Sequence, residues 1–224
     1  MNIPVLTIDG PSGAGKGTVS RLIAKKLGWH YLDSGSIYRS LAIATLQQAV
    51  DLEKEAEIVK IARDMALEFE CGDTLIVKLD GKDITDQLGL ETTGSAASII
   101  AALPEVRRTL LQKQRDFKQY PGLVADGRDM GTVVFTDARY KVFLTASAAE
   151  RADRRYKQLK QKGIDANLMQ ITQEIEQRDF RDMSRASAPL IMASDALYID
   201  SSEMTIETVI EAVLNLIHQD FLLP

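Results

Sequence analysis

Residues 10–18 read Gly-Pro-Ser-Gly-Ala-Gly-Lys-Gly-Thr, a glycine-rich run that closes on a lysine and a threonine. Gly10, Gly13, Gly15 and Gly17 permit unusual φ angles and leave no Cβ between backbone amides and an approaching anion. Pro11, Ser12 and Ala14 complete the run, Lys16 adds a mobile positive charge and Thr18 a hydroxyl. Amides wrapped around a polyphosphate, with a lysine at its β/γ end, are the chemistry this spacing suits. The common pattern puts Ser or Thr directly after the lysine, whereas Gly17 intervenes here. A chance glycine turn is the plainer alternative. The strand-like run Ile3–Ile8 before it and the apolar spacing of Val19, Leu22, Ile23 and Leu27 after it count against that. Lys16 is expected on a solvent-facing loop, replaceable without loss of the fold.

Three other groups of residues could do chemistry. Asp33-Ser34-Gly35 follows a second strand-like run, with Tyr38 and Arg39 one turn into the next helix. Ligands of open α/β sheets gather beyond the carboxyl ends of strands, so Arg39 could grip an acceptor phosphate there. A plain helix-capping turn explains the same residues. Asp126-Gly127-Arg128-Asp129 closes another apolar run. Asp126 suits organising Mg²⁺ close to the phosphate loop, with Arg128 and Asp129 expected to point outward; a polar turn ending the strand is the plainer alternative. Arg178, Arg181, Asp182 and Arg185 fall on one face of a helix at about 100° per residue, in line with Ile171 and Ile175. Guanidiniums crowded on an inward-turned face repel one another unless an anion neutralises them. Arg151, Arg154 and Arg155 precede them, with Glu150 and Asp153 available as local partners. Together these arginines make a positive mouth in an acidic chain.

The elements that must hold these residues are legible in outline. Apolar β-type runs recur at Ile3–Ile8, Trp29–Leu32, Leu123–Ala125, Lys141–Thr145 and Ala196–Ile199. Helical periodicity fills Lys16–Leu27, Ser36–Val50, Glu55–Met65, Thr93–Leu103, Val106–Lys118, Ala148–Lys162, Leu168–Met183 and Ile206–Asp220. Strands alternating with helices predict a parallel sheet covered on both faces, a three-layer α/β/α arrangement. One segment, Leu67 to Leu88, alternates at period two around Gly72-Asp73 and Asp80-Gly81 and predicts short antiparallel strands.

Composition sets the outer bounds. A chain of 224 residues, 45% hydrophobic, can bury a real core. Its net charge of −5 gives no general attraction to nucleic acid or anionic membrane. One cysteine, Cys71, cannot form an internal disulfide, and the two histidines, His30 and His218, read as structural or surface residues. The first residues lead directly into a strand, without a basic or long apolar leader, which predicts a soluble cytoplasmic protein.

Taken together, Ile8–Thr18, Leu32–Gly35, Asp126–Val134 and Arg181-Asp182 through Arg185 to Ala188-Pro189-Leu190 resemble the nucleoside monophosphate kinases, and within them the bacterial cytidylate kinases. The resemblance spans nearly the whole chain. It implies a P-loop fold with a five-stranded parallel sheet, a movable helical lid, ATP as phosphoryl donor, Mg²⁺, and CMP or dCMP as acceptor. By matching position it implies that residues 10–18 hold ATP, with Thr18 and Asp126 serving the metal, directly or through water. Ser34, Ser98, Arg107 and Asp129 would face the cytosine; Arg39, Arg128 and Arg178 the acceptor phosphate; Tyr38 and Asp182 the sugar side. Arg154 and Arg185 would bridge donor and acceptor, and Lys16, Arg128, Arg154, Arg178 and Arg185 would carry the transfer. It implies a core of residues 1–35, 120–150 and 186–224, a monophosphate-binding portion at 36–119 with the insert near 67–88, and a lid near 151–185. A monomer is expected. Asp129 suits the cytosine N4 amino group and Arg107 its N3 and O2 acceptors, whereas uracil reverses that pattern. A nucleotide-dependent switch, or a kinase for another small acceptor, is the remaining alternative; the Asn-Lys-x-Asp motif of guanine-reading switches does not occur.

Overall fold

Strands alternating with helices generate most of this chain. The structure is a computed structural model that describes residues 3–71, 75–161 and 163–221. Its residues divide into two compact units, 1–32 with 118–224, and 33–117.

The first unit is built on β1 (Val5–Asp9), α1 (Lys16–Leu27) and β2 (His30–Asp33), and resumes at β6 (Leu123–Gly127), β7 (Tyr140–Thr145), α7 (Ala148–Gln161), α8 (Leu168–Ser184), β8 (Leu197–Asp200) and α9 (Ile206–Phe221). The five-stranded parallel sheet has the order β2-β6-β1-β7-β8. Every residue of β1 and β6 is buried, as expected for strands covered on both faces. β1 is central. The chain leaves it toward β2 on one side, and β6 connects across it to β7 on the other. The carboxyl end of β1 is therefore the point where the strand order reverses, the place where open α/β sheets bind ligands.

The second unit holds α2 (Ser34–Gln47), α3 (Glu55–Asp64), β3 (Leu67–Cys71), β4 (Leu75–Leu79), β5 (Lys82–Asp83), α4 (Thr85–Leu88), α5 (Glu91–Ile100) and α6 (Pro104–Arg115). β3, β4 and β5 form the expected antiparallel patch. Leu79 pairs with Lys82 around Asp80 (φ 50°) and Gly81 (φ 76°), a two-residue hairpin with both central residues left-handed. The Gly72-Asp73 turn lies outside the described residues. The period-two reading runs too far at its end: residues 85–88 form a helical turn, because the Thr85 backbone amide bonds the Asp83 carboxylate and starts it.

Helix positions follow the sequence pattern, and their ends shift by a few residues. α1 has the expected bounds. α2 starts at Ser34 rather than Ser36, because the Asp33 carboxylate caps it by accepting the Ser36 amide at 3.0 Å. α6 starts at Pro104 itself, which suits a first helical position that needs no N–H. Lys162, the expected end of α7, lies outside the described residues. A π-helical turn at Met130–Val134 has no periodic signature in five residues and was not anticipated.

Candidate active site

The loop between Asp9 and Lys16 is shaped by two close approaches. A Cβ on Gly10, where φ is 150°, would lie 1.9 Å from the Leu144 carbonyl oxygen of β7, so only glycine lets β1 enter the loop there. Gly15, at φ 90°, precedes α1 and offers no side-chain cap, which leaves the first amides of the helix for an anion. Gly17 differs from the expectation made for it. It is the second residue of α1 and needs no left-handed conformation. What it supplies is room: a Cβ there would meet the Tyr31 hydroxyl at 3.5 Å and Asp126 Oδ2 at 3.9 Å.

Lys16 is not solvent-facing. It is only 6% exposed, and its Nζ donates to the Pro11 carbonyl at 2.7 Å. Burial, and then the Arg128 charge, pull its pKa down to about 7, while Asp126 and Asp9 hold it up. Added negative charge in this loop would restore its full positive charge.

Two acidic strand ends lie side by side beneath the loop. In the register of β1 against β6, Ile8 faces Asp126 and Asp9 faces Gly127. Asp126 is buried and Oδ2 accepts the Tyr31 hydroxyl at 2.7 Å. Among the described residues no three His, Cys, Asp or Glu side chains gather as a metal cage. One carboxylate near a phosphate loop, with the half-buried Thr18 on α1, fits Mg²⁺ that arrives on polyphosphate oxygens and keeps most of its own waters. Asp9 does something else. Its Oδ1 accepts the Met130 amide and its Oδ2 the Gly131 amide, each at 2.8 Å. Burial raises its pKa to about 6 although those two amides favour the charged form. The turn held in this way buries Asp129 at 2% exposure, so Asp129 does not point outward as expected.

The arginine face of α8 is real but differently composed. Ile171, Asp179 and Asp182 are its buried residues, with Ile175, Arg178 and Arg181 half-buried. Arg185 is not on the helix: α8 ends at Ser184, and Arg185 is extended, with Nε bonded to the Ala188 carbonyl at 2.7 Å. Carboxylates of the protein lie close to Arg128, Arg178 and Arg185. Asp182 accepts from Arg128 Nε at 2.8 Å, and Asp129 lies 3.9 Å from Arg185. Burial opposes the Asp182 charge, yet Arg128, Arg178 and Arg185 hold its carboxyl below the usual range. Burial likewise opposes the Arg128 charge, and Asp182, Asp126 and Asp179 together outweigh it. Crowding therefore does not by itself demand an outside anion.

On α7, Arg154 pairs with Glu150 at 2.9 Å as expected from spacing, and also donates to the Ser201 carbonyl at 2.7 Å. Arg151 ignores its local partners. Its guanidinium binds Asp179 at 2.6 Å, the Ser12 carbonyl at 3.0 Å and the Ala146 carbonyl at 2.9 Å. One buried side chain thus ties α7 to both α8 and the phosphate loop. Ser201, just after β8, joins the end of β7 to the phosphate loop, donating to the Thr145 carbonyl at 2.9 Å with Ala14 O at 3.3 Å.

The remaining site residues lie in the second unit. Ser34 and Tyr38 are buried on α2, Ser98 on α5 and Arg107 on α6. The Arg107 guanidinium lies 5.6 Å from the Tyr38 ring centroid and donates to the Ala101 carbonyl at 3.1 Å. Ser34 donates to Gln114 at 2.8 Å, and half-buried Arg39 to the Leu88 carbonyl at 3.1 Å.

Sequence reasoning assigned nothing to Asp9, Tyr31, Gln114, Asp179 or Ser201. Asp9 carried a usable signal, an acid that closes an apolar strand just as Asp126 does. Asp179 sits among arginines at helical spacing and could have been read as their counter-charge. Tyr31, Gln114 and Ser201 carry none, since their partners are distant in sequence.

The chain matches the family described as cytidylate kinase over residues 6–219. It is 56% identical over 212 residues to the cytidylate kinase of Aeromonas salmonicida, covering 94% of this chain and 92% of that protein. Identity to the cytidylate kinase of Methylococcus capsulatus is 54% over 215 residues, covering 96% and 97%. To that of Klebsiella pneumoniae it is 54% over 214 residues, covering 95% and 94%.

Proposed function

The chain belongs to the cytidylate kinase family, and from that premise we propose that it transfers the γ-phosphoryl group of ATP to CMP or dCMP, giving ADP and CDP or dCDP. The observation that carries this reading is local: a glycine loop with a buried lysine, a strand-end carboxylate, and the Arg128-Asp129 turn facing Asp182 and Arg185.

The loop amides of residues 10–18 hold the ATP phosphates, and Lys16 leaves the Pro11 carbonyl to meet their negative charge. Asp126 and Thr18 would hold Mg²⁺, which would supply positive charge against the polyphosphate. The acceptor phosphate oxygen is already anionic, so in-line attack needs no strong general base and no covalent enzyme intermediate. Arg39, Arg128 and Arg178 orient that phosphate, and Arg154 and Arg185 stabilise the charge spreading between donor and acceptor. Tyr38 and Asp182 serve the sugar. Ser34, Ser98, Arg107 and Asp129 read the base.

The portion near 36–119 serves the monophosphate, and residues near 151–185 act as a lid over the core segments 1–35, 120–150 and 186–224. Two nucleotides supply negative charge that draws Arg128 from Asp182 and Arg185 from Asp129. The enzyme works as a monomer in the cytoplasm on small nucleotides, without nucleic acid or membrane. Its acidic charge supports that reading. No helix among the described residues is long and apolar enough to cross a membrane.

ATP consumption against a panel of nucleoside monophosphates tests the assignment. CMP and dCMP should be preferred to UMP by up to about 10⁴ in kcat/KM, because uracil leaves the Asp129 carboxylate against a carbonyl. Comparable values for CMP and UMP would sink it.

A further inference from the structure

The base-reading carboxylate does not hold itself in place. Asp129 stands at the entry of the π-helical turn, with φ −147°, and no side-chain hydrogen bond caps that turn. The two amides that follow, those of Met130 and Gly131, both end on Asp9. Asp9 uses each of its oxygens once, at 2.8 Å, from the last position of the central strand. With its carboxylate Asp9 presents a separate acceptor oxygen to each amide. Its backbone is in turn fixed by pairing with β6 on one side and β7 on the other. The next residue is Gly10, locked against the Leu144 carbonyl. Asp9 therefore joins a rigid strand, the start of the phosphate loop and the turn that aims Arg128 and Asp129.

The face of the turn that meets β1 leaves no slack. A Cβ on Gly131 would come 2.8 Å from Thr7 Oγ1, 3.2 Å from Lys141 Cδ and 3.4 Å from Asp9 Oδ2. Gly131 is thus pressed onto β1 on the same side from which Asp9 pulls.

We propose that Asp9 is a specificity-determining positioning residue: by clamping the amides of Met130 and Gly131 it fixes the orientation of Asp129 toward the acceptor base. It touches no substrate and acts through the turn. The proposal rests on the reading of Asp129 as the group that recognises cytosine.

Two variants disturb the same turn by different means. Asp9→Asn keeps the shape but turns an N–H₂ group toward one of the two amides, so one clamp is lost and a donor faces a donor. Gly131→Ala keeps the carboxylate and displaces the turn sterically. Steady-state rates with CMP and with UMP are measured for the unaltered enzyme and both variants, after thermal melting has established that each is folded. The ratio of kcat/KM for CMP over UMP should fall by about tenfold or more in each, since an angstrom of misplacement is enough to lose oriented contacts. A structural prop alone would lower both rates together and leave the ratio unchanged; that result in a folded variant overturns the proposal, and if Asp9→Asn does not fold, Gly131→Ala decides. An unaltered enzyme without preference for CMP would instead remove base reading by Asp129, and Asp9 with it.

Discussion

At the level of single residues, Lys16 shows how a site can be legible while its energetics are not. Its type and spacing identify a phosphate-binding lysine, but nothing local in sequence says that it is 6% exposed in the protein. The charges that act on it there, Asp126, Arg128 and Arg178, lie more than a hundred residues away in sequence. A buried lysine whose folded pKa, about 7, lies below its unfolded 10.5 binds fewer protons folded than unfolded between those values. Its charge therefore costs stability in full below pH 7, and the cost fades as pH rises toward 10.5. Lys16→Met should consequently have opposite effects on activity and stability. Turnover should fall by about 10²–10³, the usual loss for a charge contact to the transition state. Stability without nucleotide, followed by chemical denaturation, should rise, and rise more at pH 6 than at pH 9. A variant less stable than its parent at both pH values would show that the bond to Pro11 outweighs the burial of the charge.

At the level of elements, α8 was read correctly as a helix with an inward stripe, but the arginines of other elements that its carboxylates bind were not foreseen. The wheel places residues on a face but does not reveal which other element that face meets. The meeting partners are Arg151 on α7 and Arg128 after β6, and both are matched by carboxylates of α8. Arg185 escaped the wheel because the helix stops one residue before it, with the Arg185 amide bonded back to the Arg181 carbonyl. The Asp179–Arg151 pair is nearly free of solvent, with side chains 12% and 5% exposed, so its loss should be expensive. Asp179→Ala leaves the Arg151 guanidinium buried against two carbonyls without a counter-charge, and about 3–5 kcal/mol of stability should go with it. Urea denaturation measures this directly. A loss below about 1 kcal/mol, the scale of a surface ion pair, would mean that Arg151 finds water or another partner when Asp179 is gone.

At the level of the whole chain, the alternation of strands and helices and the antiparallel insert were readable because burial imposes period two or 3.6 on long segments. The π-helical turn was not readable. It is five residues long, and the side chain that holds it comes from β1. The same distant clamp gives the molecule a pH signature that composition could not supply. Asp9, raised from 3.8 to about 6, binds a proton more readily folded than unfolded. Its contribution therefore favours the fold most below pH 4 and weakens as pH rises through 6, a change of about 3 kcal/mol at roughly 1.4 kcal/mol per unit. Asp182 runs the other way: its lowered carboxyl adds stability that is present above 3.8 and disappears only as pH falls through its still lower folded value. The two effects occupy different windows, so between pH 4 and 6 the Asp9 effect can be isolated by difference. Asp9→Asn does not titrate. Urea denaturation of the parent and of this variant, at intervals from pH 4 to 7, should show the parent losing stability relative to the variant by about 3 kcal/mol as the pH rises. A difference that stays constant across that range would mean that the two amide donors of the turn offset the whole cost of burying the Asp9 charge.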